Sequence, residues 1–182
     1  LLAVGYQSDA IEQELASFPV PIVYVHEKTP LGTGGAIAQA MRQVESQTAL
    51  ILNGDVYVEF DLATFYAAHQ AKRAQVSLVC CPVDDAERYG TVVLGAEGEV
   101  VAFREKVPGK GYVNGGVYLF EQTIAMPEQT TFSIERDFFP RLIGHRFFGH
   151  ISEGIFIDIG TPPSYRLAQE LLRNKVCLYR TY

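Results

Sequence analysis

Cysteine is scarce in this 182-residue chain and poorly spaced for bridging. Cys80 and Cys81 are adjacent, so on a strand they point to opposite faces, and Cys177 stands alone. Neither a disulfide framework nor a C-x-x-C metal pattern can be built from them. The expectation is buried, reduced thiols in a cytoplasmic protein. No apolar run approaches the roughly 18–20 residues that span a bilayer, and no signal peptide is visible, so no membrane partner is expected. Basic residues are outnumbered, 15 Lys and Arg against 21 Asp and Glu, for a net charge of −6. With no basic stripe and no aromatics interleaved among cations, nucleic acid is not an expected partner. His26, His69, His145 and His150 form no H-x-x-x-H or H-E-x-x-H pattern, and G-x-S-x-G does not occur. Nucleophilic hydrolysis and zinc chemistry therefore find no support. Internal repeats and low-complexity segments are absent as well.

What is present is a 48% hydrophobic, 20% charged chain of the size of one ordinary domain. Short apolar strands alternate with amphipathic helices. LLAV is followed by a helix from about Ser8, PIVYV by a helix from about Gly35, and ALIL by a helix that Asp61 can cap. VSLVCCPV closes this half. Such alternation predicts an α/β, doubly wound, Rossmann-like and mostly parallel sheet. After Pro82 the grammar shifts to a hairpin around Gly95 to Gly98 and a strand GGVYLF. Ser133 then caps IERDFFPRLI, IFIDI is a strand, and Thr161-Pro162 opens the last helix. The expected organisation is one domain, 1–182, with a nucleotide-binding part at 1–83 and a mixed α+β part at 84–182. LLAV reads as a buried strand with nothing before it to cover it, so a preceding βα unit is expected to be missing here.

In doubly wound sheets, ligands bind at the carboxyl ends of strands. Three stretches fall there. PLGTGGAI follows a strand and opens a helix, so backbone N–H groups of Leu31, Gly32, Thr33, Gly34 and Gly35 can face a base or phosphates; a plain turn with a helix cap is the alternative. It matches neither the Walker A pattern nor G-x-G-x-x-G. LNGD places Asp55 just past a strand, as a turn former or as a metal ligand. IFIDIGTP sets Asp158 in an apolar strand, where an unpaired carboxylate costs several kcal/mol and must meet a cation, a hydrogen-bond network or a metal. Two such carboxylates suit Mg²⁺, which takes one or two protein carboxylates plus substrate phosphates. Lys106 in FREK can neutralise a phosphate and Glu105 can accept sugar hydroxyls, unless the two form an exposed ion pair. Asn114 offers a donor and an acceptor beside two glycines, or marks a turn.

Taken in order, E-x-x-PLGTGGA, LNGD, RYG, EK, NGGVY and FIDIGTPxxY resemble the sugar-phosphate nucleotidyltransferases over nearly the whole chain. Within that family the resemblance is to guanylyltransferases acting on D-glycero-D-manno-heptose 1-phosphate or mannose 1-phosphate. It implies a nucleotidyltransferase fold of the GT-A type, with Asp55 and Asp158 as the metal-binding pair, Lys106 beside them and PLGTGGA around the nucleoside. It also implies that Gly90, Glu105, Lys106 and Asn114 hold the sugar phosphate. The implied reaction transfers a nucleoside monophosphate from a triphosphate, GTP favoured, to a sugar 1-phosphate with release of pyrophosphate. A homo-oligomer is compatible with this class. A non-catalytic nucleotide-sugar-binding subunit, or a uridylyl- or thymidylyltransferase, are the alternatives. Glu27 bears on the base if it faces it: an acceptor-only carboxylate suits guanine's adjacent N1–H and N2–H₂ donors and repels the carbonyls of uracil or thymine, the alternative being a surface carboxylate paired with Lys28 or solvent.

Overall fold

The computed structural model describes residues 1–87, 89–104 and 108–179, with side chains as far as Arg173. Its elements are β1 Leu2–Val4, α1 Ser8–Glu14, β2 Tyr24–His26, α2 Gly32–Met41, β3 Thr48–Leu52, β4 Val56–Val58, α3 Leu62–Ala71 and β5 Val76–Val83. The second half adds β6 Thr91–Leu94, β7 Val100–Arg104, β8 Gly111–Glu121, α4 Phe139–Leu142, β9 Phe147–Ile151, β10 Phe156–Asp158 and α5 Pro162–Tyr179. A single π-helical turn, Ile134–Phe138, leads into α4.

The α/β class expected from the sequence holds, but the sheet is mixed rather than mostly parallel. Its centre is β8, which runs antiparallel to β5 along one side. On its other side the first part of β8 pairs with β6 and the last part with β3, both antiparallel. Only β5 with β9, and β1 with β2, run parallel. The reason is that β8, from the second half of the chain, inserts between β3 and β5. The two halves expected from the sequence thus share one sheet. The β4–β10 pair forms a separate antiparallel ribbon. Strand β1 pairs on one side with β2 and leaves Leu1 and Ala3 exposed.

Local signals account for the helix ends. Asp61 caps α3, its Oδ1 accepting the Thr64 N–H at 2.6 Å. Ser133 caps the π turn by accepting from the Arg136 N–H, while Asp137 Oδ2 accepts the Ser133 N–H at 2.7 Å. The carboxylate of this reciprocal cap sits one position later than in an α-helix because the π turn is wider. Strand β5 is buried on both faces and separates two apolar clusters. On one face Leu78, Tyr118, Phe120, Phe139 and Phe147 pack with Met41 of α2; on the other Phe65 of α3 packs with Val79, Val113 and Leu119. Cys80 and Cys81 lie one in each cluster, and burial raises both thiols, Cys81 to about 11. They are neutral, unreactive core residues. Among the described residues no helix is long and apolar enough to cross a membrane.

Candidate active site

Asp55 and Asp158 come together because β4 and β10 pair. Asp158 lies opposite Val56, and the Asp55 carbonyl accepts the Ile159 N–H at 2.9 Å. Each carboxylate thus emerges at the carboxyl end of a strand, Asp55 after β3 and Asp158 at the tip of β10. Asp158 is half-buried, and of the partners expected for it the fold supplies a hydrogen bond: its Oδ1 accepts the Gly160 N–H at 2.7 Å. Its environment is a turn at the rim of the apolar strand. Two hard carboxylate donors, one in the turn before β4 and one at the end of its partner β10, fit the oxygen preference of Mg²⁺. Among the described residues there is no cluster of three or more His, Cys, Asp or Glu side chains that would form an all-protein metal cage.

The sugar-side expectation for Asn114 changes in kind. Opposite β5, Leu78 pairs with Tyr118 and Cys80 with Asn114, so two residues of β5 span four of β8. This bulge is built on NGGV: Gly116 has φ +68, and a β-carbon on Gly115 would stand 3.0 Å from the Val79 carbonyl. Because the excess is even, Asn114 and Tyr118 keep to one face and are drawn together. Asn114 Nδ2 donates to the Tyr118 hydroxyl at 2.8 Å and to Glu135 Oε1 at 2.7 Å. Its Oδ1 accepts the Gly116 N–H at 3.0 Å. Both amide protons are therefore spent within the protein, and the glycines serve the bulge. Asn53 and Asp55 lie beside the same buried hydroxyl, whose ionisation burial pushes well above the ordinary phenol value.

The glycine loop is also corrected in its physical reason. Gly34 and Gly35 do not leave bare backbone open to a ligand on their Cβ sides. A β-carbon on Gly34 would stand within 3.0 Å of the Phe132 ring, and one on Gly35 within 3.0 Å of the Thr130 carbonyl. Gly32, at φ +71, faces the Phe132 carbonyl. The Gly34 N–H donates to Phe132 O and the Phe132 N–H to Leu31 O, both at 3.0 Å. Thr33 Oγ1 accepts the Ile134 N–H at 3.0 Å. Loop 31–35 is thus fastened to segment 130–134, one residue before Glu135. Glu27 is half-buried and spends Oε2 on the Leu31 N–H at 2.9 Å, so this carboxylate braces the loop.

Gly90 lies just before the Thr91–Val113 pair, next to the Asn114 end of β8. Glu105 and Lys106 lie outside the described residues. The surface cleft of about 490 Å³ walled by Ile124, Met126, Phe138 and Leu142 is past the other end of β8 and touches none of these groups. Sequence reading missed Tyr118, Asn53 and Glu135. The one signal among them is Tyr118, a hydroxyl in the otherwise apolar run VYLF; Asn53 and Glu135 stand among polar neighbours and carry none.

A fold of this kind, with carboxylates at strand ends beside a braced glycine loop, is that of a nucleotidyltransferase. The nucleotidyl transferase family model matches residues 4–175, and the chain belongs to that family. It is 37% identical over 182 residues to the D-glycero-alpha-D-manno-heptose 1-phosphate guanylyltransferase of Aneurinibacillus thermoaerophilus, covering 97% of this chain and 79% of that one. It is 34% identical to the mannose-1-phosphate guanylyltransferase of Mycobacterium tuberculosis over 96% of this chain, which spans about half (52%) of that protein. Among solved structures, HddC from Yersinia pseudotuberculosis superposes with a TM-score of 0.85 at 32% identity, over 94% of this chain and 77% of that one. A second form of that protein, complexed with GMP-PN, superposes at 0.82 with 30% identity, over 93% and 76% of the two chains.

Proposed function

We propose that this chain catalyses guanylyl transfer from GTP to a sugar 1-phosphate of the heptose or mannose type, giving a GDP-sugar and pyrophosphate. The observation that carries the reading is that pairing of β4 with β10 brings the Asp55 turn against Asp158, with Asp55 beside the Asn114–Tyr118–Glu135 network and the glycine segment tied next to Glu135. The names of the relatives supply the base and the sugar class. In this reading the sugar-phosphate oxygen attacks the α-phosphorus in line and pyrophosphate leaves, so no protein nucleophile is required. Asp55 and Asp158 would hold Mg²⁺, which when bound neutralises phosphate charge. The chain's own work is positioning. Residues 31–35 flank the nucleoside, Gly90 and the Asn114 cluster flank the sugar, and the bulge fixes the distance between them. Lys106 is assigned the phosphate and Glu105 the sugar hydroxyls.

Base choice is assigned to guanine on the relatives and on the acceptor-only chemistry of Glu27, which sits at the glycine segment with Oε2 on the Leu31 N–H. The test is synthesis and pyrophosphorolysis over a panel of GTP, UTP and dTTP with heptose, mannose and glucose 1-phosphates. GDP-sugar formation dependent on Mg²⁺ is expected. Turnover confined to uridine or thymidine nucleotides would overturn the guanine assignment, and binding without turnover would overturn the enzyme reading.

A further inference from the structure

Tyr118 sits where phenylalanine would be the cheaper residue. It is fully buried, edge-on to Phe139 with centroids 5.3 Å apart and tilted against Phe120 at 6.2 Å. A hydroxyl placed in such an aromatic cluster costs stability unless it is hydrogen-bonded. Here it meets three requirements at once. It accepts one proton of the Asn114 amide, it lies beside the Asn53 side chain, and it lies at the bulge where β8 changes partner from β6 to β3.

Asn53 is tied to the same point by its backbone, its N–H donating to the Gly116 carbonyl at 2.8 Å, and its side chain rests on Gly116. Two residues later the chain reaches Asp55. On the other side, Asn114 passes its second amide proton to Glu135, which directly follows the segment that fastens the glycine loop. One buried oxygen therefore stands between the turn that carries Asp55 and the amide that holds Glu135.

We propose that Tyr118 is a positioning residue for the transfer reaction: its hydroxyl fixes Asn114, and through it Glu135, relative to the Asn53–Asp55 turn. This rests on the transferase reading above. The amide of Asn114 cannot rotate without giving up both of its donated bonds, so the sugar side and the carboxylate side of the site are held at one separation. Removing the oxygen frees that rotation and leaves the aromatic packing in place.

The experiment is Tyr118→Phe in the intact chain, with Phe120→Leu as a packing control from the same strand and Asn114→Leu as a second variant. Expected for Tyr118→Phe is a fall in kcat of about 10–100-fold, the range of groups that orient a site from behind. KM for GTP should change far less, and the melting temperature should drop no further than in Phe120→Leu, which should keep kcat. Adding Tyr118→Phe to Asn114→Leu should cost little more, since the two share one bond. Independently of turnover, the side-chain amide protons of Asn114, slow to exchange in the parent, should exchange fast in Tyr118→Phe. Unchanged kcat, or kcat falling in parallel with melting temperature in Phe120→Leu too, would overturn the positioning role. If the parent makes no nucleotide sugar at all, the transferase reading fails, and the amide exchange alone then decides whether Tyr118 fixes Asn114.

Discussion

Gly34→Ala separates two reasons for a glycine-rich loop, packing against the protein's own chain or room for a ligand. Position 34 is in the first turn of α2, where alanine in place of glycine should add up to about 1 kcal/mol of helix propensity. Against that gain stands the Phe132 ring, whose edge atoms would lie within 3.0 Å of the new methyl. Carbon atoms rest at about 3.5–4.0 Å, so the nearest ring atoms and the methyl must part by more than about one ångström. The ring has little freedom to yield. Phe132 is 4% exposed, packs edge-on to Phe138, and is held by its own N–H and C=O to Leu31 and Gly34. Overpacking costs about 1–3 kcal/mol, and a displacement this large belongs at the upper end, about 2–3 kcal/mol. Net of propensity, the variant should lose about 1–2 kcal/mol, or about 2–8 °C of melting temperature for a chain of this size.

Calorimetry on Gly34→Ala, with Gly54→Ala as the comparison, checks the figure. Nothing lies within 4 Å of a β-carbon at Gly54, so that substitution should shift stability by less than about 0.5 kcal/mol. Trimming the ring with Phe132→Leu should recover part of the loss in the Gly34→Ala background while destabilising the parent. A Gly34→Ala protein as stable as the parent but with GTP KM sharply raised would refute the packing argument and return the glycine to the nucleotide.

Other expectations follow from the same geometry. Asp158→Asn should lower turnover by about 10²–10³-fold, on the scale of a lost transition-state charge contact, with the fold intact because the amide oxygen still accepts from Gly160; unfolding of the variant would instead mark a structural carboxylate. His69→Ala should destabilise by about 2–4 kcal/mol in urea titration, because the buried ring bridges Ser77 Oγ at 2.8 Å and Glu121 Oε1 at 3.0 Å and leaves a cavity; a loss below about 1 kcal/mol would refute the bridge as a stabilising element. His150 is held below the ordinary histidine value first by burial and then by Lys72, with Asp61 opposing. The folded state thus favours the neutral ring, so its contribution is present above the unfolded pKa and is lost as pH falls through the folded one. His150→Gln should flatten the fall in melting temperature below pH 6.5; an unchanged slope would place the acid sensitivity elsewhere.

Some of this fold was legible in the sequence because the forces behind it are local. VSLVCCPV is strand β5 residue for residue, since a strand packed on both faces is nearly all apolar, its one polar residue, Ser77, being paired with His69. The Asp61, Ser133 and Thr161 caps were readable because each side chain bonds its own helix. What failed was the pairing. Alternating strands and helices fix that the chain crosses over, but not which later strand fills the gap, and β8 fills the one between β3 and β5. Strand β9 escaped for a related reason. FFGHI is broken by Gly149, whose absent side chain makes room for Leu94 of β6 and Cys80 of β5, contacts that only the assembled sheet creates.

The candidate site divides along the same line. That Asp55 and Asp158 stand next to each other was readable because both follow apolar strands at the carboxyl ends where a doubly wound sheet gathers its loops. The glycines and Asn114 were singled out for a ligand, and in the fold each also has a close neighbour within the protein. A glycine in a sequence announces only that something comes close, and at 34, 35 and 115 the neighbour is the protein itself. An asparagine announces two donors, and at 114 both go to Tyr118 and Glu135. The residues that order this site are thus one layer behind those the motifs point to. Substitutions there should alter turnover more than binding, since they leave every group that meets the ligand chemically intact and change only where it stands.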